Sequence, residues 1–458
     1  MASSSRRRGV AVRSTGSAER WAAGSASPSA AARGSGGLGV NSHFDSGNIE
    51  VLDLSDPGDV RLAIIKDPYC ETDATAHAQW FNFRVTGARG VPLTLHITNA
   101  GACSYPAAWE GYAACASHDL DAWFRVPTAY DAATGVLTIR HTPGADSIRY
   151  SYFPVYNFHR HMLLVSRMQT RPRVRLVMLA ETLDGHDLDV LMLGEPGPGK
   201  RVVWIVARQH PGETQSEWFA EGLLERLTDP HDAVSRALLD GAVFYVVPNA
   251  CPDGTWRGHL RTNAAGVNLN RAWDAPREDE APEVFHIRRL MDDTGVDMLV
   301  DVHGDEEIPA CFIAGAEGIP GWTGRLAGLQ AKFSAAFSRA SPDFQTKLGY
   351  EVDAPGQADM RICSNQARRA PPRRVPTPPP PPSCRRRRRR GRRRRADAAA
   401  PQIAQRFDCL AVTLEMPFKL TAADAGDPAG PGWGPERAKR FGGAMLGAVL
   451  DVLPDLRP

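Results

Sequence analysis

Four short apolar segments in the second half of the chain restrict the fold more than any other feature. They are RVVWIVAR, AVFYVVPN, VDMLVDVHG and CLAVTLEMPF, which begin at residues 201, 242, 296 and 409. Segments with helical spacing of apolar residues alternate with them, for example TQSEWFAEGLLERL at 214–227. Strands that are apolar along their whole length are buried on both faces, and in α/β proteins helices cover those faces. The sequence therefore predicts an α/β domain over residues 156–458.

The segment before this domain has a different pattern of residue types. Residues 40–155 contain short β-branched and aromatic runs, separated by turn sequences such as YDAATG and TPGAD. The clearest runs are WFNFRV, PLTLHIT, WFRVP, GVLTIRH and IRYSYF. Five or more strands at such close spacing predict a small antiparallel β-sandwich.

The charge of the chain is very unevenly distributed. The whole chain has a net charge of +2, with +13 on residues 367–402 and +5 on residues 1–37, so the remainder carries −16. The folded body is therefore acidic, which argues against nucleic-acid binding by that body.

Residues 367–402 interrupt the α/β pattern with a proline run and an arginine run. Polyproline forms neither a helix nor an interior strand, and a block of like charges cannot pack in a core. Without this segment, Ser364–Gln366 would continue into Ile403–Phe407 as one amphipathic helix. We interpret it as a disordered surface insertion or an unspliced intron. The alternative is a basic arm that binds nucleic acid or an acidic tail.

Three further features bear on the cellular compartment in which the protein is found. Residues 1–37 are rich in Ser, Ala, Gly and Arg, which is typical of a disordered tail and also of an organellar transit peptide. No apolar stretch approaches the roughly 20 residues that span a bilayer. The eight cysteines form no C-x-x-C pair, and we expect mostly reduced thiols. These features predict a cytoplasmic protein, or an organellar one if the N-terminal segment is a transit peptide.

Two segments carry residues of metal-ligand type at strand ends. His210 and Glu213 follow RVVWIVAR, and His303 follows the strand of VDMLVDVHG. A set of two histidines and one glutamate suits zinc and leaves a fourth position open. Ligand sites of open α/β sheets lie at the carboxyl ends of strands. Alone, H-x-x-E is a weak motif, and His210 could be an ordinary loop histidine.

Arginines and one buried acid form a second group of candidates. Arg261 and Arg271, with Asn270, lie in the polar loop that follows AVFYVVPN. Arginine suits bidentate recognition of a carboxylate or stabilisation of an oxyanion, although either one alone could be a surface residue. Glu415 lies in an otherwise apolar strand, where burial would raise its pKa as a general base needs. The alternative is a strand-end glutamate that reaches solvent.

The motifs H-P-G-E, P-D-G, N-L-N-R, D-x-H-G and T-L-E occur in that order, beginning at residues 210, 252, 268, 301 and 413. Together they make the chain resemble the zinc carboxypeptidases of the carboxypeptidase A superfamily, and in particular the cytosolic carboxypeptidase branch. The resemblance covers residues 40–458 apart from the insertion. It implies a mixed central sheet flanked by helices, preceded by the β-domain of that branch.

The resemblance also implies roles for individual residues. His210, Glu213 and His303 match the ligands of one zinc ion, and Glu415 matches the general base and acid. Arg261 matches the arginine that polarises the scissile carbonyl.

Two further positions match the family's substrate contacts. Asn270 and Arg271 match the pair that binds the substrate's C-terminal carboxylate. Tyr350 is a possible match for the tyrosine that covers the substrate.

Two positions depart from the pattern of the branch. Cys251 stands where asparagine usually precedes P-D-G, which puts the local hydrogen bonds in doubt. Asp305 stands where many members have a second histidine. We expect Asp305, Glu306 and Glu307 to be solvated loop acids; the alternative is that they support the ligands or contact the substrate.

The expected function is a metallocarboxypeptidase that removes C-terminal residues, with glutamate as one possibility, from peptide or protein tails. One alternative is a zinc amidase or deacylase that acts on small acylated amino acids. Another is a non-catalytic binding protein that uses the arginine-rich arm.

Overall fold

The computed structural model describes residues 32–33, 37–70, 77–352, 354, 356, 358, 403–421, 424 and 432–457. The predicted insertion 367–402 lies outside the described residues, as does the predicted tail 1–37 apart from 32–33 and 37. Six cysteines fall within the described part, and all six are free thiols: Cys70, Cys103, Cys115, Cys251, Cys311 and Cys409.

A seven-stranded mixed sheet forms the centre of the second half of the chain. Its strands are β12 (Val174–Glu181), β13 (Asp187–Leu193), β14 (Arg201–Ala207), β15 (Ala242–Val247), β16 (Met298–Val302), β17 (Phe312–Ala314) and β18 (Leu410–Glu415). Their order is β12-β13-β15-β14-β16-β18-β17. The four central strands β15, β14, β16 and β18 run parallel, and the outer strands are antiparallel to their neighbours. The predicted α/β fold with a mixed sheet is confirmed.

The four apolar segments of the sequence are the four parallel strands. Every residue of β15, β16 and β18 is buried, as two-sided coverage by helices requires. Strand β17 was not predicted, because an edge strand of three residues is too short to show alternation.

Eight helices accompany the sheet in the described part of the chain. They are α1 (Phe158–Met168), α2 (Gln215–Leu227), α3 (Ala233–Gly241), α4 (Pro252–Arg257), α5 (Pro282–Thr294), α6 (Gly324–Ala340), α7 (Ile403–Phe407) and α8 (Pro435–Val452). Helices α2 and α8 touch at Gly222 and Gly442, where a Cβ atom would meet backbone oxygens of the other helix at 2.0 and 2.1 Å. Within the described residues, no helix combines the length and apolar character that a membrane span needs.

The first part of the chain is a two-sheet β-domain, as predicted. Its strands are β1 (Ala32–Arg33), β2 (Gly39–Asn41), β3 (Glu50–Asp53), β4 (Val60–Ala63), β5 (Asn82–Thr86), β6 (Leu93–Ile97), β7 (Cys115–Ser117), β8 (Trp123–Arg125), β9 (Thr128–Asp131), β10 (Val136–His141) and β11 (Ser147–Ser151). One sheet has the order β1-β2-β5-β11-β7-β8 and the other β3-β4-β6-β10-β9. All pairs are antiparallel except β4 with β6.

The β-domain packs directly on the α/β domain. The ring of Tyr152, which follows β11, stacks on Phe418 beyond the end of β18, with ring centroids 4.7 Å apart. Nη2 of Arg125 donates to the carbonyl oxygens of Phe418 and Trp433. The Asp45 carboxylate accepts from the first two backbone N–H groups of α1, a favourable place for a negative charge. The two domains therefore share buried polar and aromatic contacts.

Candidate metal centre and catalytic residues

The predicted metal ligands lie at the carboxyl ends of two adjacent parallel strands. Strands β14 and β16 pair in parallel, with Ala207 opposite Val302. His210 and Glu213 lie in the turn between β14 and α2, and His303 follows β16 directly. The sheet topology thus places these three residues beside one another, although about 90 residues separate them along the chain.

Their ligating atoms converge on one point. Nδ1 of His210 lies 2.7 Å from Oε1 of Glu213, and Nδ1 of His303 lies 2.8 Å from Oε2. The two Nδ1 atoms are 3.1 Å apart. All three side chains are buried. We call His210, Glu213 and His303 the triad.

Polar groups on the far side of each imidazole orient the rings of the triad. Oδ1 of Asn268 accepts from the backbone N–H of Asn270 and lies 3.1 Å from Nε2 of His210. An amide oxygen only accepts, so Nε2 carries the proton and Nδ1 offers its lone pair to the centre. The Asp301 carboxylate lies 2.9 Å from Nε2 of His303 and is suited to the same task.

The electrostatics of the triad favour one negative and one clearly neutral group. Burial, together with the charge of Arg261, lowers the pKa of His210 to about 3. Burial disfavours the charged form of Glu213, but the adjacent His210 and His303 outweigh it and hold its pKa well below the usual range.

This donor set fits zinc. Two imidazole nitrogens and one carboxylate are borderline ligands that zinc accepts, and three side chains leave a position for water or substrate. Two Nδ1 atoms at 3.1 Å cannot both carry a proton towards each other, so at least one lone pair faces the centre. A cation there would satisfy all three groups at once.

Glu415 lies beside the triad at the end of β18. The backbone N–H of His303 donates to Leu414 O at 2.8 Å, which brings β18 next to His303. Glu415 is only 1% exposed, so the alternative that it reaches solvent is wrong. Burial raises the pKa of its carboxyl well above the usual value; Glu213, Asp305 and Glu306 add to this effect and His303 opposes it.

Tyr350 approaches Glu415 from the segment after α6. Its hydroxyl lies 2.7 Å from Oδ2 of Asp305 and 3.1 Å from Oε1 of Glu415. A hydroxyl has one proton, so both contacts form hydrogen bonds only when one of the two carboxyls is itself protonated. The raised pKa of Glu415 is consistent with this arrangement.

The expectation that Asp305 and Glu306 are solvated loop acids is wrong. Both are buried, while Glu307 is half-buried. Oδ1 of Asp305 accepts from the backbone N–H groups of Glu307 and Ile308, which closes a tight turn after β16. Oε1 of Glu306 has no hydrogen-bond partner among the described residues. The burial of these two acids agrees with the alternative that they lie within the site.

Arg261 is buried next to the triad. Its Nη1 donates to Oε1 of Glu213 at 3.4 Å. Burial opposes its charge, but neighbouring groups that include Glu213 and Glu306 outweigh burial and raise its pKa, so the guanidinium stays charged. It is therefore a fixed cation at the edge of the metal centre.

Asn270 and Arg271 lie in the short helical turn after Asn268. Asn270 is buried, and hydrogen bonds within the described part of the chain leave its Oδ1 without a partner. Arg271 is exposed, and its Nη1 donates to Asn270 O at 3.1 Å. Arg261, by contrast, contacts Glu213 of the triad directly.

Sequence reasoning missed residues that support the ligands. Nε2 of Gln209 donates to Oδ1 of Asp301, and its Oε1 accepts from Nε1 of Trp273, each at 2.7 Å. Gln209 precedes His210, and Asp301 lies two residues before His303. A polar residue in a buried strand, such as Asp301, was the signal that could have revealed this second layer.

Cys251 does not disrupt the loop in which it replaces asparagine. Its backbone N–H donates to Oδ1 of Asn249 at 3.0 Å, and Nδ2 of Asn249 donates to Oγ1 of Thr255. Asn249 thus supplies the local hydrogen bonds that were in doubt.

Comparison with known proteins is consistent with this geometry. Residues 40–153 match the family model described as the cytosolic carboxypeptidase N-terminal domain, and residues 162–309 match the model of zinc carboxypeptidase. A metallo-carboxypeptidase structure from Burkholderia cenocepacia is 40% identical, with a TM-score of 0.78 over 91% of this chain and 99% of that one.

A second structure, a metallo-carboxypeptidase from Pseudomonas aeruginosa in complex with (2-guanidinoethylmercapto)succinic acid, is 39% identical. Its TM-score is 0.78 over 91% of this chain and 100% of that chain. Cytosolic carboxypeptidase 2 from Danio rerio is 28% identical over 61% of this chain but only 42% of its own length. These findings give no support to the alternative of a non-catalytic binding protein.

Proposed function

This chain belongs to the zinc carboxypeptidase family, in its cytosolic carboxypeptidase branch, and is a hydrolase; we propose that it removes the C-terminal residue of peptides or protein tails using one zinc ion. The observation that carries the proposal is the convergence of two imidazole Nδ1 atoms and one carboxylate on a single buried point. His210, Glu213 and His303 would hold the ion. Zinc bound there would polarise a water molecule and the substrate carbonyl.

Glu415 is the proton carrier in this proposal. A carboxylate with a raised pKa is a better base than an ordinary glutamate, because proton affinity follows pKa. It accepts a proton from the attacking water and returns that proton to the leaving amine. The hydroxyl of Tyr350 holds Oε1 of Glu415 in place by a hydrogen bond.

The arginines and Asn270 position the substrate. Arg261 is a buried, permanently charged donor beside the triad, so it suits the negative charge that develops on the carbonyl oxygen. Asn270 and Arg271 bind the C-terminal carboxylate, for which a guanidinium offers two parallel N–H donors. Holding that carboxylate fixes which peptide bond reaches the metal centre.

The proposal also concerns which C-terminal residue the enzyme prefers to release. Glutamate is the choice implied by the resemblance to cytosolic carboxypeptidases. The ligand of the Pseudomonas aeruginosa protein instead joins succinic acid to a guanidino group. The alternative is a basic C-terminal residue. Digestion of a peptide library that varies only in its last residue distinguishes the two: preferred release of arginine or lysine would overturn glutamate specificity.

A cytoplasmic location also belongs to the proposal. The six described cysteines are free, as a reducing compartment allows. Recovery of the native protein in an organelle fraction, with residues 1–37 removed, would contradict it.

The central test is Glu415→Gln. The variant should retain zinc, because Glu415 is not a ligand, and lose about 10²- to 10⁴-fold in kcat. Glu181→Gln, at the exposed end of β12, is the matched control and should retain activity. Near-normal hydrolysis by a zinc-loaded Glu415→Gln enzyme would overturn the role of Glu415.

A further inference from the structure

The loop that carries Arg261 has two separate anchors, one in each domain. We call residues 258–262 the arginine loop. It follows α4, and Gly258 at its start has φ of +71°, a conformation that favours glycine. A Cβ atom on Gly258 would also meet Gly47 O of the β-domain at 2.4 Å. The loop therefore begins at a point where the two domains touch backbone to backbone.

The first anchor is the metal-binding motif itself. The backbone N–H of Gly212, within H-P-G-E, donates to Leu260 O at 2.9 Å. A Cβ atom at Gly212 would lie 2.9 Å from that same oxygen, which is closer than side chains approach. Together with the contact between Arg261 and Glu213, this bond fixes the position of the arginine loop relative to the triad.

The second anchor is Asp67, a residue of the β-domain. One oxygen of its carboxylate accepts from the backbone N–H of Leu260 at 2.7 Å. The other accepts from the backbone N–H groups of Arg261 and Thr262, at 2.8 and 3.0 Å, and from Oγ1 of Thr262 at 3.0 Å. Three successive peptide groups, with Arg261 at their centre, thus turn towards one carboxylate.

Asp67 is well suited to hold these groups still. It is 1% exposed, and its own backbone N–H donates to His77 O at 2.8 Å. Hydrogen bonds to an ionised acceptor are about twice as strong as neutral ones, and a buried carboxylate keeps its charge only where donors surround it. The side chain of Asp67 makes no contact with the triad among those described, so it would act on the chemistry only through the loop.

We propose that Asp67 is a positioning residue for Arg261. The β-domain thereby fixes the orientation of the guanidinium towards the scissile carbonyl. The inference rests on the role proposed above for Arg261. Replacing Asp67 by asparagine keeps the shape but turns an NH₂ group towards peptide N–H donors. Some backbone N–H groups of the arginine loop then lose their acceptor, and the guanidinium of Arg261 is no longer held in position. Misplacement of a catalytic group by about 1 Å can cost about 10²-fold in rate.

The test compares two carboxylates that hold backbone N–H groups across the domain interface. Asp67→Asn should lower kcat about tenfold to 100-fold with little change in KM and with zinc retained. Asp45→Asn, which loses the bonds to the start of α1, is the control and should keep its kcat. Affinity for a phosphonate analogue of the peptide should fall with kcat in Asp67→Asn. Equal kcat in both variants would overturn the inference.

A double-mutant cycle separates this inference from the proposed function. If Asp67 acts through Arg261, adding Asp67→Asn to Arg261→Ala should cost no further activity. Independent, multiplicative losses would overturn the positioning role. A fully active Arg261→Ala would instead overturn the proposed function of Arg261.

A milder variant keeps the inference testable if Asp67→Asn does not fold. Thr262→Val removes only the hydroxyl donor to Asp67. It should lower kcat severalfold, again with zinc and KM unchanged. An unchanged kcat would count against the inference.

Discussion

Among the described residues, two clusters bring histidine and carboxylate side chains within metal-binding distance, yet their surroundings differ. One is the triad, and the other, which we call the turn cluster, comprises Asp184, His186 and Asp253. In each, the potential ligand atoms lie within 4.8 Å of one another. Proximity of donors alone would therefore predict two metal sites.

The side chains of the turn cluster already have hydrogen-bond and ion-pair partners within the protein. Nε and Nη2 of Arg257 donate to the two oxygens of Asp184 at 2.7 and 2.6 Å. Asp253 accepts from Thr182 Oγ1 and from the backbone N–H of Asp184, and its Oδ1 lies 2.8 Å from Nδ1 of His186. These bonds fasten the turn between β12 and β13 onto α4.

In the triad, by contrast, outer partners hold the far side of each imidazole. Asn268 and Asp301 engage the Nε2 atoms, so the Nδ1 atoms face inward with the carboxylate of Glu213. We infer that the partners of the ligand atoms, rather than the distances between those atoms, decide which cluster can bind a cation.

The largest expected effect comes from matched histidine deletions. His303→Ala removes a ligand and should abolish both zinc binding and peptide hydrolysis. His186→Ala should keep about one zinc per chain and normal turnover, because Asp184 and Asp253 have protein partners. Metal analysis by mass spectrometry with an activity assay checks both. Loss of zinc from His186→Ala would remove the distinction between the clusters.

The next effect should fall on stability. Asp253→Asn leaves buried donors without their acceptor and should lower the free energy of unfolding by about 1–3 kcal/mol. The more exposed Asp184→Asn breaks a surface ion pair and should cost about 0–1 kcal/mol. Urea unfolding measures the difference, with zinc content unchanged in both. A larger loss in Asp184→Asn would mean that Arg257, not Asp253, holds the turn.

Much of the triad could be predicted because it depends on strand ends. H-P-G-E and D-x-H-G each follow a continuous apolar run, and parallel strands bring their carboxyl ends together. Glu415 stood out for a related reason, since a charged residue in an apolar strand needs a function or a partner.

The supporting residues could not be predicted, because their partners come from distant parts of the chain. Asp67 lies 194 residues before Arg261, in another domain, and its sequence context gives no sign of that contact. The burial of Asp305 and Glu306 depends on how the turn after β16 folds inward. An element as short as β17, with three residues, is too short to show a clear period.

The smallest expected effect is the pH dependence of the turn cluster. The hydrogen bond to Asp253 raises the pKa of His186; burial opposes this, and the charges of Asp253, Asp184 and Asp45 add to it. A histidine with a raised folded pKa stabilises the protein fully below its unfolded pKa of about 6.5, and this contribution disappears as pH rises through the folded pKa. Burial also raises the pKa of nearby Glu283, to about 8, but this second titration is common to the wild type and a His186 variant. The melting temperature of His186→Leu should therefore fall below that of the wild type by about 1–2 °C more at pH 6 than at pH 9. An equal deficit at both pH values would mean that His186 holds the turn as a neutral ring.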